Sequence, residues 1–375
     1  MYIDEKNREL AVALRHQLHA HPELSMHERQ TKAALMDFLR AHTSLEIVDR
    51  GRWFYGVHHG GGNRPAIAFR ADMDAVPVDE APNLVPYASQ CPGAGHKCGH
   101  DGHSASLCAF ALELERRGLD REVYLLFQHA EETGQGALEC LSLLRENDIR
   151  EIYAFHNLPG VPYGAVAVPD GVAQFASVGM IMRFTGRKSH ACYPENGINP
   201  AYAVSEIVST LPSLTAPGTY QGLAMITVIE VHVGEHAFGT SAGSGELLLT
   251  VRGEFEAELD HLTAALETLA RAKASEHGLT CTFDYEDRFP ETRNHPEAAE
   301  KVRAAASRLN LPVTELKERF RASEDFGHYT KLIPGAMLYL GDGEGDVPPL
   351  HTARFDFPDP LIEEAAALFY EIAAL

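Results

Sequence analysis

Tryptophan, cysteine and basic side chains are all scarce in this chain. One tryptophan and six cysteines occur in 375 residues, and 32 lysines and arginines stand against 53 aspartates and glutamates. The net charge of −21 makes nucleic acids and anionic membrane surfaces poor partners, because like charges repel. No apolar run approaches the ~18 residues that a membrane helix needs. We therefore predict a protein that binds neither nucleic acid nor membrane.

The cysteines do not form the pattern of a disulfide framework. Residues 1–8 are polar and lack the apolar segment of a secretion signal. Scattered cysteines in such a chain are typical of reduced thiols, which predicts a cytoplasmic protein. They are Cys91, Cys98, Cys108, Cys140, Cys192 and Cys281.

The length of the chain predicts two domains, because a single core rarely grows this large. Strand and helix patterns alternate over residues 66–156, which predicts an α/β fold with a mostly parallel sheet. Residues 175–287 follow the order β-α-β-β-α-β of a ferredoxin-like module. We predict that residues 1–174 and 288–375 form one discontinuous domain and that 175–287 is an inserted α+β domain.

Residues 96–103, with the sequence HKCGHDGH, concentrate metal-binding side chains between glycines that let the backbone turn. We interpret Cys98 and His100 as metal ligands that alternate along an extended segment, so that both side chains reach the same side. Asp101 and His103 are interpreted as residues that orient the ligands without touching the metal.

Further ligand candidates follow or end predicted strands: the adjacent Glu131 and Glu132, then His156 and His351. Neighbouring glutamates at a strand end point different ways, so one can bind metal while the other faces a substrate. A thiolate, imidazoles and a carboxylate suit zinc, manganese, cobalt or nickel better than calcium or magnesium. Five ligands exceed one closed tetrahedral site, whereas two ions that share a water account for them.

These residue types also have other interpretations. A lone cysteine is usually a small buried hydrophobic residue. A zinc finger built from Cys91, His96, Cys98 and His100 is disfavoured because no second Cys/His pair follows at finger spacing, and the pattern of a base deaminase is missing. Asp72 and Asp74 end a buried strand, where they either line a site or build a turn.

Seven segments of the chain, taken together and in this order, resemble the aminoacylase-like dinuclear metallopeptidases. That family includes hippurate hydrolases, N-acyl-amino-acid deacylases, auxin-conjugate amidohydrolases and N-acetyldiaminopimelate deacetylases. The segments are HPELS (21–25), RADMDAVP (70–77), CGHDGH (98–103), FQHAEE (127–132), GRKSHA (186–191), SEDF (323–326) and LHT (350–352).

The resemblance implies a zinc-peptidase-like catalytic domain and an inserted dimerisation domain, hence a homodimer or higher homo-oligomer. It implies that Glu131 is the general base. It also implies that His190 reaches a partner's active site and helps to hold the developing oxyanion. The metal ligands that it implies are Cys98, His100, Glu132, His156 and His351.

Two departures from the family pattern concern the substrate. His129 stands where the family usually has proline. Its imidazole is either an additional group that contacts the ligand residues or a surface substitution. Residues 233–245 lack the asparagine that normally helps to bind substrate. Arg252 stands at the family's arginine position and could hold a substrate carboxylate, although arginine on a strand is more often a surface charge. Candidate replacements for the missing asparagine are His236, Thr240 and Ser241.

We predict a metal-dependent amidohydrolase that splits an N-acyl amino acid into a carboxylic acid and an amino acid. A dipeptidase or carboxypeptidase on the same scaffold is the alternative, and it would prefer substrates with a free α-amine. A non-catalytic binding protein is disfavoured, because Glu131 and all five ligand candidates are present.

Overall fold

The computed structural model describes residues 2–375, and the chain divides into two compact units. The first unit comprises Met1–Ala173, Thr292–Phe320 and Glu324–Leu375. The second comprises Gln174–Glu291 and Arg321–Ser323. Within residues 2–375, no helix has the length and apolarity needed to cross a membrane.

Helices and strands alternate along most of the chain. The helices are α1 (Glu5–Ala20), α2 (Arg29–His42), α3 (His100–Arg117), α4 (Gly136–Cys140), α5 (Ser142–Glu146), α6 (Ala201–Leu214), α7 (Glu256–Glu276), α8 (Pro296–Arg308), α9 (Gly327–Thr330) and α10 (Leu361–Ala374). The strands are β1 (Glu46–Asp49), β2 (Phe54–His58), β3 (Arg64–Asp72), β4 (Arg121–Gln128), β5 (Ile149–Pro159), β6 (Val166–Ala167), β7 (Gly171–Gln174), β8 (Ala176–Thr185), β9 (Ala224–Val233), β10 (Ser244–Gly253), β11 (Thr280–Phe289), β12 (Thr292–Asn294), β13 (Val313–Thr314) and β14 (Gly335–Gly343).

The first unit is built on an eight-stranded sheet with the order β1-β2-β4-β3-β5-β14-β6-β13. Its four central strands, β4, β3, β5 and β14, are parallel to one another. The strands β1 and β2 add an antiparallel edge. The predicted α/β fold with a mostly parallel sheet is confirmed.

The strand β3 is buried on both faces of the sheet. Successive residues of a strand point to opposite faces, and here Phe69 and Ala68 belong to two separate apolar clusters. The Phe69 ring lies 4.9 Å from that of Phe110 on α3 and 4.8 Å from that of Phe369 on α10. Truncating such a buried ring to alanine costs about 3–5 kcal/mol of stability. Burial on both faces accounts for the continuous apolar run of residues 66–69 in β3.

The second unit has one antiparallel sheet with the order β11-β8-β10-β9. Its elements follow the chain as β8-α6-β9-β10-α7-β11. Alternate residues of β8, such as Met180 and Met182, join Leu262 and Leu266 of α7 in its apolar cluster. The role of this unit as a dimerisation domain stays a prediction.

Candidate metal centre

The carboxyl ends of the central strands hold most of the predicted ligands. Residues 131–132 follow β4, His156 lies near the end of β5, and His351 lies on the loop after β14. Cys98 and His100 come from the turn that leads into α3. Ligand sites in open α/β sheets form at this edge, so the fold itself brings these segments together.

Gly99 makes the turn between the two ligands from this segment. Its φ is +102°, and a Cβ atom there would lie 2.2 Å from Oδ1 of Asn157, so only glycine fits. The helix α3 begins directly after this turn, at His100. The predicted extended segment is therefore wrong, because Cys98 and His100 lie on either side of a left-handed turn.

Within residues 2–375, five groups of three side chains have their ligand atoms within 4.8 Å of one another, and two of these groups share Cys98. One group is Cys98, His100 and His156, and the other is Cys98, Glu132 and His351. Sγ of Cys98 lies 3.4 Å from Nε2 of His156. Nε2 of His351 lies 3.3 Å from Oε1 of Glu132. The structure thus brings all five predicted ligands together, with Cys98 in both groups.

The electrostatics of these groups fit a divalent cation. Nε2 of His100 and Oε1 of Glu132 lie 3.6 Å apart, and both are buried without a hydrogen bond. A buried polar atom without a partner costs about 1–3 kcal/mol, which a bound cation relieves. Burial, with Glu132 and Glu131, raises the pKa of the Cys98 thiol, so its thiolate also needs a positive charge nearby.

The other nitrogens of the two buried imidazoles are held by fixed partners. Nδ1 of His100 lies 3.2 Å from Oδ1 of Asp74, and Nδ1 of His156 donates to the Asn157 carbonyl at 2.7 Å. Burial alone would raise the pKa of Asp74, but hydrogen bonds from His100 and Ser25 lower it. Such contacts orient an imidazole and leave Nε2 for the metal.

Glu131 is a buried carboxyl group beside the ligand groups. It is 5% exposed, and its Oε2 lies 3.9 Å from Nε2 of His100. Burial, followed by Glu324 and Glu132, raises the pKa of Glu131 well above its usual range, and Arg70 opposes this shift. A carboxylate with a raised pKa is a stronger proton acceptor than a solvated one.

Arg70 forms a buried ion network beside Glu131 that the sequence analysis did not predict. It is 1% exposed and donates to Asp72 at 2.6 Å and to Glu324 and Asp325 at 2.9 Å. This buried cation offsets the carboxylates that surround Glu131. The available signal was a charged residue inside an otherwise apolar strand.

Lys97 was also missed, and it connects two ligand segments. The side chain is fully buried, and its Nζ donates to Glu80 at 2.5 Å and to the Phe355 carbonyl at 2.9 Å. The carbonyl of Lys97 accepts from the amide of His351 at 2.7 Å. Cys98 and His351 are therefore joined through one residue, which no sequence pattern indicates.

His129 is buried rather than on the surface. Its ring is fully enclosed, and its Nε2 lies 3.3 Å from Oε2 of Glu139. Burial lowers the pKa of His129. The interpretation as a surface substitution is therefore wrong.

The substrate-binding candidates His236, Thr240 and Ser241 lie on a loop of the second unit that pairs with the segment of His190. His190 and Thr240 form an isolated antiparallel bridge. The Ser189 amide donates to Oγ of Ser241 at 3.0 Å. His236 lies exposed on the same loop as Thr240. The substitutes proposed for the missing asparagine thus adjoin the His190 segment.

Arg252 lies apart from that loop, near the opposite end of β10 from Ser241. Its Nη1 donates to Oγ of Ser323 at 2.6 Å and to the Arg321 carbonyl at 3.2 Å. These bonds fix the guanidinium in the second unit.

Known proteins that resemble this chain over its whole length contain the same fold. An N-acetylcysteine deacetylase of Bacillus subtilis is 29% identical over 97% of this chain and 96% of its own. A second deacetylase of that organism, acting on N-acetyl-L-cysteine, is 28% identical over 96% of this chain and 87% of its own. A solved B. subtilis structure, described as a dinuclear metal-binding peptidase, superposes with a TM-score of 0.84 at 26% identity, covering 99% and 98% of the two chains.

Residues 68–375, which make up most of the chain, match the model of a peptidase family. The resemblance predicted from the seven segments is confirmed, and so is the predicted enzyme class, a metal-dependent amidohydrolase. The chain belongs to peptidase family M20/M25/M40.

Proposed function

We propose that the protein hydrolyses the amide bond of an N-acyl amino acid and releases a carboxylic acid and an amino acid. The observation that carries this proposal is the pair of ligand groups that share Cys98, with the buried Glu131 beside them. The relatives named as N-acetylcysteine deacetylases support the substrate class.

The proposed cofactors are two divalent ions of manganese, zinc, cobalt or nickel. Such ions, when bound, supply a water whose pKa falls toward about 7 and polarise a carbonyl group. The shared thiolate, the imidazole nitrogens and the carboxylate oxygen have the donor chemistry of this metal class. The proposed ligands are Cys98, His100, Glu132, His156 and His351.

Glu131 is the proposed general base. Its carboxylate takes a proton from the water that attacks the amide carbon and later delivers it to the leaving nitrogen. The C–N bond then breaks, and the amine leaves as a neutral group. The buried position and the raised pKa of Glu131 support both transfers, because one group must accept and then release the same proton.

His190 is proposed to stabilise the oxyanion in the active site of a second copy of the chain. A homodimer would join through residues 175–287. In support, β9 is an edge strand with three exposed apolar side chains, Val228 (39%), Ile229 (60%) and Val231 (50%). An unpaired apolar edge of this kind is a template for pairing with another chain.

Substrate recognition is proposed for Arg252, His236, Thr240 and Ser241. The pairing of residues 189–191 with 239–241 supports the last two, because it places their polar groups beside His190. Arg252 offers a cation for a substrate carboxylate. The proposed location of the enzyme is the cytoplasm.

A hydrolysis screen on chelated and metal-reconstituted protein tests the proposal. N-acetyl, N-benzoyl and long-chain N-acyl amino acids should be hydrolysed only after metal is restored. Dipeptides with a free α-amine should react more slowly. If dipeptides are the better substrates, the dipeptidase alternative replaces this proposal, and no hydrolysis of either class would contradict both.

The variant Glu131→Gln tests the base. We expect kcat to fall about 10²- to 10⁴-fold, because a positioned acid–base group contributes that much, while metal binding is unchanged. The control is Glu9→Gln, an exposed glutamate on α1. Turnover by Glu131→Gln near the wild-type rate would show that another group is the base.

A further inference from the structure

His190 is held on a fixed stretch of backbone although its side chain is exposed. The Ala191 amide donates to the Gly239 carbonyl at 3.0 Å, and the Ser241 amide donates to the Ser189 carbonyl at 2.9 Å. These bonds lie on both sides of His190. The backbone that carries its imidazole is therefore fixed by hydrogen bonds on both sides.

Nδ1 of His190 lies close to two atoms of Cys192, the backbone nitrogen and Sγ. The Cys192 amide donates to Nδ1 of His190 at 3.2 Å. Sγ of Cys192 lies 2.9 Å from the same Nδ1. The amide is always a donor, so a hydrogen on Nδ1 would meet the amide hydrogen. Nδ1 consequently carries a lone pair, and the thiol of Cys192 is its second donor.

The position of the remaining hydrogen follows from this geometry. A neutral imidazole carries one hydrogen, so an accepting Nδ1 places it on Nε2. Because the side chain of His190 is exposed, its Nε2 hydrogen is accessible to an acceptor from another molecule. A thiolate–imidazolium pair is disfavoured, because it would need a hydrogen on Nδ1.

We propose that Cys192 is a positioning residue that holds His190 in the neutral tautomer with its hydrogen on Nε2. This inference rests on the proposed function, in which His190 donates to the oxyanion formed from the amide carbonyl. The braced Nε2–H then meets the oxyanion as an uncharged donor that needs no reorientation. Preorganised donors of this kind are the effective ones in acyl transfer.

The direct test is the ¹⁵N spectrum of the zinc-loaded full-length protein labelled at histidine. The His190→Gln variant identifies the His190 signals by their loss. We expect Nδ1 at the frequency of a nitrogen without hydrogen and Nε2 at that of a nitrogen that carries one. A hydrogen on Nδ1 would overturn the proposal.

The second test compares Cys192→Ala with Cys192→Ser. The alanine variant keeps the amide donor and loses the thiol. It should shift the Nδ1 signal and lower kcat about 2- to 10-fold at unchanged KM, the size expected for one lost hydrogen bond. Serine, whose hydroxyl can donate, should restore both. Cys281→Ala, another thiol of the same unit, should change neither.

The outcomes separate this inference from the function on which it rests. If His190→Gln retains wild-type kcat, the proposed role of His190 fails and this inference fails with it. If His190→Gln loses activity but Cys192→Ala changes neither the spectrum nor kcat, only the positioning role of Cys192 is wrong.

Discussion

Asp342 is a buried carboxyl group that contacts Asn157, the residue that follows the predicted ligand His156. It is 6% exposed, Oδ2 accepts from Asn157 at 2.9 Å, and Oδ1 has no hydrogen bond. Burial raises the pKa of Asp342 from 3.8 to about 7. Folding therefore favours the protonated form, whose contribution to stability is complete below pH 3.8 and is lost as the pH rises through 7.

The variant Asp342→Asn should remove this pH dependence. Between pH 5 and pH 8.5, the free energy of unfolding of the wild type should fall relative to that of the variant by about 3 kcal/mol, because each pH unit below the folded-state pKa of about 7 contributes about 1.4 kcal/mol. Urea denaturation of the metal-free protein at both pH values measures the difference. Asp148→Asn, at an exposed aspartate, is the control. Parallel pH profiles for wild type and Asp342→Asn would contradict the assignment.

Single residues mark the limit of what the sequence predicts. The ligand candidates were recognised because cysteine, histidine and glutamate side chains can bind metal ions in any fold and because the segments that carry them resemble a known family. Arg70 and Lys97 were missed because their importance depends on burial and partners supplied by segments far along the chain. A residue type reports its own chemistry but not the charges that folding places beside it.

Lys97 connects the loop before α3 to the loop after β14 by hydrogen bonds. Its side chain binds Glu80 and the Phe355 carbonyl, and its own carbonyl binds the His351 amide. The backbone of His351 has a positive φ of 59°, a conformation that non-glycine residues keep only where the surroundings enforce it. The hydrogen bond from the His351 amide to the Lys97 carbonyl helps to hold this conformation.

The variant Lys97→Met should weaken metal binding at the group that contains His351. Contacts that orient ligands are typically worth 10- to 100-fold in metal affinity, so we expect a loss of about that size for one of two ions. Competition titration with a chelator measures it, after circular dichroism has verified folding. Lys301→Met, which breaks a surface ion pair with Glu151, is the matched control. Wild-type affinity for both ions in Lys97→Met would refute this role.

At the scale of elements, the central strands and long helices were predictable and their ends were not. Continuous apolar runs identified β3, β4 and β5, because strands buried on both faces need such runs. The helical pattern between β4 and β5 forms two short helices, α4 and α5, which are separated at Leu141. The short edge strand β1 is partly exposed, so it lacks the apolar pattern that a sequence analysis detects.

The whole molecule presents an apolar edge in spite of its strong negative charge. Val228, Ile229 and Val231 project from β9, and charged residues are the usual protection for such an edge. Burial of these side chains against a second copy would stabilise a dimer by the hydrophobic effect. The proposed role of His190 requires such a dimer, because it places His190 in the active site of the second copy.

The variant Ile229→Lys should convert a dimer into a monomer. A buried unpaired charge at the centre of the interface costs more than the lost apolar contact. Light scattering coupled to size-exclusion chromatography measures the mass. Leu138→Lys, at a similarly exposed leucine of the first unit (52%), should leave the mass unchanged. A wild-type protein that is monomeric at micromolar concentration would contradict the proposal.

The number of metal ions bound per chain tests the central claim most directly. Elemental analysis of the reconstituted protein should give two ions per wild-type chain. It should give about one for His156→Ala and one for His351→Ala, because each belongs to only one of the groups that share Cys98. Glu131→Gln should retain two. A wild-type chain that binds a single ion, or that keeps two in both histidine variants, would contradict the dinuclear site.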